Sequence, residues 1–180
     1  MTPTIYNLNN AVLRDKMAAF DYDWTLVSPK DGKTFPTNID DWEWLYPTIP
    51  EKLKKYYNDG FMIIIFTNQS KAWKHEQIQL VAKTLGIPVL IVVATEKCDY
   101  KPNPILFNIL VKNNKINKDK SFFVGDAIGR SSDFSDSDKI FAENIGINCC
   151  CPEEVFHVKN EIIEIQRIPL SNEKQIIIMI

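Results

Sequence analysis

Two aspartates, Asp21 and Asp23, stand directly after the apolar run Met17 to Phe20, in the stretch Phe20-Asp21-Tyr22-Asp23-Trp24-Thr25. Residues two apart on an extended chain face the same way, so both carboxylates can enter one pocket. A pair so placed can divide the work of a displacement, one carboxylate attacking and the other carrying a proton; the alternative is an acidic surface turn. Farther on, Phe66-Thr67-Asn68-Gln69 closes a second apolar run with a hydroxyl and backbone N–H groups leading into a helix. That arrangement can seat a phosphate, or Thr67 can simply cap the helix. Tyr100-Lys101-Pro102 offers an ammonium able to neutralise phosphoryl oxygens, although most lysines are only solvated. Phe123-Val124-Gly125-Asp126 brings one more carboxylate to the end of an apolar run, where a hard cation can join it to Asp21 unless Asp126 merely caps a helix. Magnesium favours such a site, built from one or two carboxylates with phosphate and water. Each segment alone has an ordinary structural explanation. All of them together, in one order, point to one site.

The elements that must carry these residues follow from the hydrophobic pattern. Met17 to Phe20, Met62 to Phe66, Val89 to Val93, Phe122 to Val124 and Ile147 to Cys150 are apolar runs too short for helices. They lack strict alternation, as strands covered on both faces do. Helix-like stretches lie between them: Pro50 to Tyr57 before Gly60, Trp73 to Leu85 before Gly86, Asn103 to Val111, and Lys139 to Ile145 before Gly146. Alternating strands and helices predict an α/β fold, a Rossmann-like parallel sheet with helices on both faces. In such sheets ligands gather beyond the carboxyl ends of the strands, where the polar segments fall. The aromatic-rich insert Pro29 to Pro47, after the first strand, is expected either as a small flap over the site or as a hairpin packed on the body. One domain is expected over residues 1–180, with its core at about 17–158 and an extension at 159–180. The extension holds the runs Ile162 to Ile165 and Ile176 to Ile180, the second expected as an edge strand.

Bulk properties exclude little else. No apolar run approaches the roughly 20 residues that span a bilayer, and Met1 to Asn10 lacks a signal-peptide layout, so an intracellular protein without membrane contact is expected. Cys98, Cys149, Cys150 and Cys151 contain no C-x-x-C pair, and three adjacent cysteines make poor joint ligands, so free thiols rather than zinc are expected. A net charge of −2 neither favours nor excludes nucleic acid. No G-x-x-x-x-G-K-[ST] phosphate loop occurs, so no kinase domain is expected in this chain.

The order of the four segments resembles the motifs of the haloacid-dehalogenase phosphatases, and more closely the 3′-phosphatase domain of polynucleotide kinase/phosphatase. The likeness runs through Gly32-Lys33-Thr34-Phe35-Pro36-Thr37, Leu45-Tyr46-Pro47, Val93-Ala94-Thr95, Gly125-Asp126-Ala127-Ile128-Gly129-Arg130 and Phe141-Ala142-Glu143-Asn144, covering about Met17 to Val158. It implies the haloacid-dehalogenase fold and removal of phosphate from the 3′ end of DNA strands. Asp21 would be the nucleophile and Asp23 the proton donor and then acceptor. Magnesium would be held by Asp21, the Asp23 carbonyl and Asp126. Thr67 and Lys101 would grip phosphoryl oxygens, with Asn68 beside them in the seat. A phosphatase of a small phosphomonoester, such as histidinol phosphate or a sugar phosphate, is the alternative; such relatives often carry a cysteine-rich zinc loop that is absent here.

This chain departs from the family's text in places. Trp24 replaces the usual glycine of D-x-D-G-T, and is expected to pack the insert in preference to stacking on a terminal base. Arg130 stands where the wider superfamily often has a second acid; the polynucleotide-phosphatase pattern also has arginine there, which favours the narrower resemblance. Asp138 is then the candidate second acid, supporting the metal or Lys101, or else a helix cap. Lys71 and Lys74 stand in for a missing arginine, and Lys52, Lys54, Lys55, Lys71, Lys74 and Arg130 are candidates for strand-backbone contacts.

Overall fold

The structure is a computed structural model and describes residues 2–157. Its elements in chain order are β1 (Thr4–Leu8), β2 (Met17–Phe20), β3 (Val27–Ser28), β4 (Glu43–Trp44), α1 (Ile49–Asn58), β5 (Met62–Asn68) and α2 (Ala72–Lys83). There follow β6 (Val89–Ala94), α3 (Ile105–Val111), β7 (Phe122–Val124), α4 (Ser137–Ile145), β8 (Asn148–Cys150) and α5 (Pro152–Phe156). The runs Ile162 to Ile165 and Ile176 to Ile180 lie outside the described residues.

Six strands form one sheet in the order β1-β6-β5-β2-β7-β8. All neighbours are parallel except β1, which runs antiparallel to β6 at the edge. The alternation of side chains along each strand builds two cores. Ala18, Phe20, Ile63, Ile65, Val89 and Ile91 face α1 and α2, packing with Ile49, Leu53, Ile78 and Val81. Met17, Ala19, Ile64, Phe66, Leu90 and Val92 face α3 and α4, packing with Leu106, Phe107, Phe141 and Ile145. Burial on both faces explains why these strands read as continuous apolar runs. It fixes register too, since a one-residue slip would exchange the two cores.

The insert resolves into two parts. Its base is the antiparallel pair β3–β4, with Val27 opposite Trp44, and Trp42, Trp44 and Leu45 packed against the first core. Its tip, Thr34 to Pro36, reaches the cavity at the sheet's carboxyl edge. Asp41 ties the tip to the base: it accepts from the backbone N–H groups of Lys30 and Thr37 and pairs with Lys33 at 2.8 Å. Those donors, Lys33 first, hold its carboxyl far below the usual range. Hairpin and flap are thus one element.

Candidate active site

Strand β2 sits between β5 and β7, so the residues just past its end have neighbours on both sides. The Asp21 N–H donates to the Val124 carbonyl at 2.8 Å, which extends the ladder one residue and fixes where the carboxylate starts. Tyr22 turns inward and is fully buried, its hydroxyl donating to Gln77 Oε1 at 3.0 Å. A tight turn then closes with the Leu26 N–H on the Tyr22 carbonyl. Trp24 lies in that turn at φ +58°. The left-handed region costs a side-chain-bearing residue roughly 1–2 kcal/mol, which explains why glycine is usual at this position. Trp24 recovers contact elsewhere: its indole N–H donates to the Thr34 carbonyl at 3.2 Å, packing the tip of the insert while one face stays open at the cavity.

Asp21 meets a buried cation. Lys101 Nζ lies 2.8 Å from Asp21 and 2.6 Å from Asp138, with 3% of its side chain exposed. Burial opposes its charge, but Asp138 and then Asp21 outweigh burial and raise its pKa above the ordinary value. The Lys101 loop is held by Asn68, whose side-chain oxygen accepts the Lys101 N–H at 2.9 Å. Asp138 is therefore the support for Lys101; its other oxygen accepts the Ala127 N–H at 3.1 Å. It lies in the first turn of α4, while Asp136 occupies the capping position. Gly125 makes room for it, because a Cβ there would come within 2.5 Å of the Asp138 side chain. Thr25, fully buried, donates to Asp126 at 3.4 Å, a contact the sequence reading did not assign. Thr67 is inside β5 and buried rather than capping α2, and its hydroxyl accepts from Gln69 Nε2 at 3.2 Å.

One cavity of about 380 Å³ collects these groups. Asp21, Asp23, Thr67, Asn68, Lys101, Asp126 and Asp138 line it, as do Lys71, Lys74 and Trp24, and at its rim stand Phe35, Trp73 and Phe134. The remaining candidate cations are placed differently. Arg130 does not line the cavity; it is engaged by Asp133 at 3.0 Å and Glu153 at 2.9 Å, which brace the loop after Asp126 against α5. Lys74 is 4% exposed, on the helix face shared with Gln77, Ile78 and Val81, and pairs with Asp23 at 2.6 Å. Its ammonium, at the cavity wall, is already engaged by Asp23 and Gln77. Lys52, Lys54 and Lys55 lie on α1 and are not part of the cavity wall, Lys54 and Lys55 being paired with Glu51 and Asp59.

The sequence profile described as polynucleotide kinase 3 phosphatase matches residues 16–156, the whole of the sheet from β2 onward. The chain belongs to that family.

An uncharacterized 20.8 kDa protein of Autographa californica nuclear polyhedrosis virus is 34% identical over 165 residues, covering 83% of this chain and 90% of the viral one. The bifunctional polynucleotide phosphatase/kinase of Schizosaccharomyces pombe is 35% identical over 152 residues, 78% of this chain but 37% of the yeast protein. Among solved structures, a D,D-heptose 1,7-bisphosphate phosphatase from B. bronchiseptica, complexed with magnesium and phosphate, aligns with TM-score 0.50. That alignment covers 75% of this chain and 92% of the other at 17% identity, and it speaks for the shared haloacid-dehalogenase-like fold alone.

In this member of the polynucleotide kinase 3 phosphatase family, Asp21, Asp126 and Asp138 bring carboxylate oxygens within 4.8 Å of one another and could hold a metal ion. The donors are all hard oxygens, which suits magnesium. Their electrostatics fit a cation as well. Burial chiefly lifts the Asp21 carboxyl well above the ordinary range; Lys101 pulls it back, and Asp138 and Asp126 add repulsion. Burial and then Asp138 push Asp126 from 3.8 up to about 6. A divalent ion would relieve that repulsion.

A pH dependence follows from Asp126. Its folded pKa is raised, so the folded chain holds a proton between about 3.8 and 6 that the unfolded chain has released. This contribution to stability is present below 3.8 and is lost as pH rises through about 6. Magnesium should therefore raise the melting temperature more at pH 7.5 than at pH 5, by about 4–8 °C for roughly 2 kcal/mol of linkage. Asp126→Asn should melt higher than the parent at pH 7.5 without metal and lose most of the magnesium increment. Thermal scans at the two pH values, with EDTA and with magnesium, check both.

Proposed function

We propose that this chain is a polynucleotide 3′-phosphatase, removing terminal phosphate from the 3′ ends of DNA strands. One observation carries the reading: two aspartates, a buried hydroxyl, a buried lysine and a third carboxylate share one cavity, and aromatic rings form its rim. The similarity to the Schizosaccharomyces pombe bifunctional polynucleotide phosphatase/kinase supports the substrate class.

The chemistry would run on this chain's own groups. The terminal phosphate enters with its oxygens toward the Thr67 hydroxyl and the Lys101 ammonium. An Asp21 carboxylate oxygen attacks phosphorus as the bond to the 3′ oxygen breaks, and Asp23 gives that oxygen its proton. Asp23, now a carboxylate, takes a proton from water; the hydroxyl oxygen attacks phosphorus of the aspartyl-phosphate, and inorganic phosphate leaves with Asp21 restored. Pairing with Lys101 favours the ionised, attacking form of Asp21. Asp21, Asp126 and the Asp23 carbonyl would hold magnesium, which when bound offsets the negative charge gathered around the phosphate.

The rim accounts for the nucleic-acid end. Phe35 is 78% exposed and Phe134 is 89% exposed, both on the cavity. Rings so exposed beside a phosphate seat suit an unpaired terminal base, whose stacking is worth about 1–3 kcal/mol. Phe134→Ala should raise KM for a 3′-phosphorylated single strand about 10-fold and leave the rate on a small phosphomonoester unchanged. The deciding assay measures phosphate release from 3′-phosphorylated DNA and RNA oligonucleotides, histidinol phosphate and sugar phosphates, with magnesium and with EDTA. Oligonucleotide DNA should be preferred by a wide margin; preference for the small esters would reject the substrate, and turnover undiminished by EDTA would reject the metal.

A further inference from the structure

We infer that Lys74 is a positioning residue that aims Asp23, rather than a contact for the nucleic-acid strand. The inference rests on Asp23 being the proton donor and then the acceptor of the proposed reaction; the contacts seen here, a donor on each oxygen, are those of its accepting form. Each member of the aspartate pair has its own buried lysine. Lys101 serves Asp21, and Lys74 serves Asp23 at 2.6 Å.

The geometry around Asp23 is closed on both sides. Lys74 Nζ donates to Oδ1 at 2.6 Å, and Gln69 Nε2 donates to Oδ2 at 2.5 Å. One donor would leave the carboxylate free to rotate about its terminal torsion, which is intrinsically broad. Two donors on two oxygens fix its plane. Asp23 needs this more than Asp21 does, since 36% of its side chain is exposed, against 14% for Asp21.

Lys74 is in turn held from below. Gln77 Oε1 accepts from Lys74 Nζ at 3.2 Å and from the Tyr22 hydroxyl at 3.0 Å. Gln77 Nε2 donates to the carbonyl of Ile39 at 2.9 Å, in the insert. The ammonium also sits 4.8 Å from the centre of the Tyr22 ring, a favourable site for a cation. With 5% of its side chain exposed, Lys74 is satisfied by the protein alone. A buried charge that lost this pairing would cost several kcal/mol, so the lysine, although at the cavity wall, keeps Asp23 as its partner. The chain from the insert through Gln77 and Lys74 thus ends on Asp23, and the element that covers the cavity also sets the orientation of the proton donor.

The test compares leaving groups. A 3′ alkoxide needs a proton as it departs; p-nitrophenolate does not. Lys74→Met should lower kcat on a 3′-phosphorylated oligonucleotide about 100-fold, the usual cost of a misdirected group, with KM and its salt dependence unchanged. On p-nitrophenyl phosphate the same variant should lose less than about 5-fold in the initial burst of p-nitrophenolate, the step before water attack, in which the two leaving groups differ. Gln77→Met, which keeps the charge and removes its anchor, should show the same pattern with smaller losses, and Lys74→Arg should recover part of the oligonucleotide rate. A raised KM with a shallower salt dependence would make Lys74 a strand contact and overturn the inference; equal losses on both leaving groups in the first, phosphoryl-transfer step would overturn it as well. If the parent protein prefers small esters to oligonucleotides, the substrate reading fails, yet the comparison still runs with glycerol 2-phosphate as the alkyl ester.

Discussion

Asp21→Asn protein should release no measurable phosphate from a 3′-phosphorylated oligonucleotide. Loss of a nucleophile from a set of groups that act together costs on the order of 10⁴-fold or more. The change keeps the volume of the side chain and leaves Lys101 paired with Asp138 at 2.6 Å. It also removes a carboxyl whose ionisation is opposed by burial and by Asp138 and Asp126. The variant should therefore melt no lower than the parent at pH 7.5, which separates lost chemistry from lost folding. Acid-quenched parent protein should carry a phosphoryl group, seen as added mass, and the variant should not. A variant that keeps full turnover would remove Asp21 from the nucleophile's role.

Lys101→Met should be the most destabilising change in the site. It withdraws the cation from between Asp21 and Asp138, whose side chains are 14% and 2% exposed. Breaking a buried pair from one side typically costs about 3–5 kcal/mol, because the remaining charge has no partner. The sign of the pH effect is fixed by Asp21. Its carboxyl is already raised by burial, and loses the attraction of Lys101 that lowers it. The folded variant then holds its proton to higher pH than the unfolded chain does, so the deficit grows as pH rises and shrinks toward pH 4. Denaturant titrations at pH 5 and pH 8 should show the larger loss at pH 8. Adding Asp138→Asn to Lys101→Met should recover part of it, a coupling expected only of groups in contact.

The parts of this architecture legible in the sequence are those where burial or chemistry restricts residue choice. Strands β2, β5, β6 and β7 are covered on both faces, so only apolar residues serve there, and the groups at their ends stand out against them. Strand β1 carries no such signal, because Thr4 to Leu8 is an edge strand in which four of five residues are exposed or half-buried. Its hydrogen bonds to β6 leave little trace in composition. The pairing of Lys74 is hidden for a different reason. Lysine in a polar stretch reads as solvated, and its burial is visible only in the helical spacing from Lys74 to Gln77, Ile78 and Val81. The bracing role of Arg130 is not legible because its partners, Asp133 and Glu153, meet only once the loop and α5 are folded. Asp138 could be nominated from the sequence, yet its pairing with Lys101 joins residues 37 apart that only the three-dimensional fold brings together.

The narrow fit of Gly125 beneath Asp138 makes these two positions a single unit of inheritance. No methyl group can be tolerated at 125 while an aspartate stands at 138, since the two would occupy the same space. A lineage that abandoned the acid would be released from the glycine, and one that acquired alanine first would have to surrender the acid's place beside Lys101. Across descendants of this chain the two residues should be kept together or replaced together.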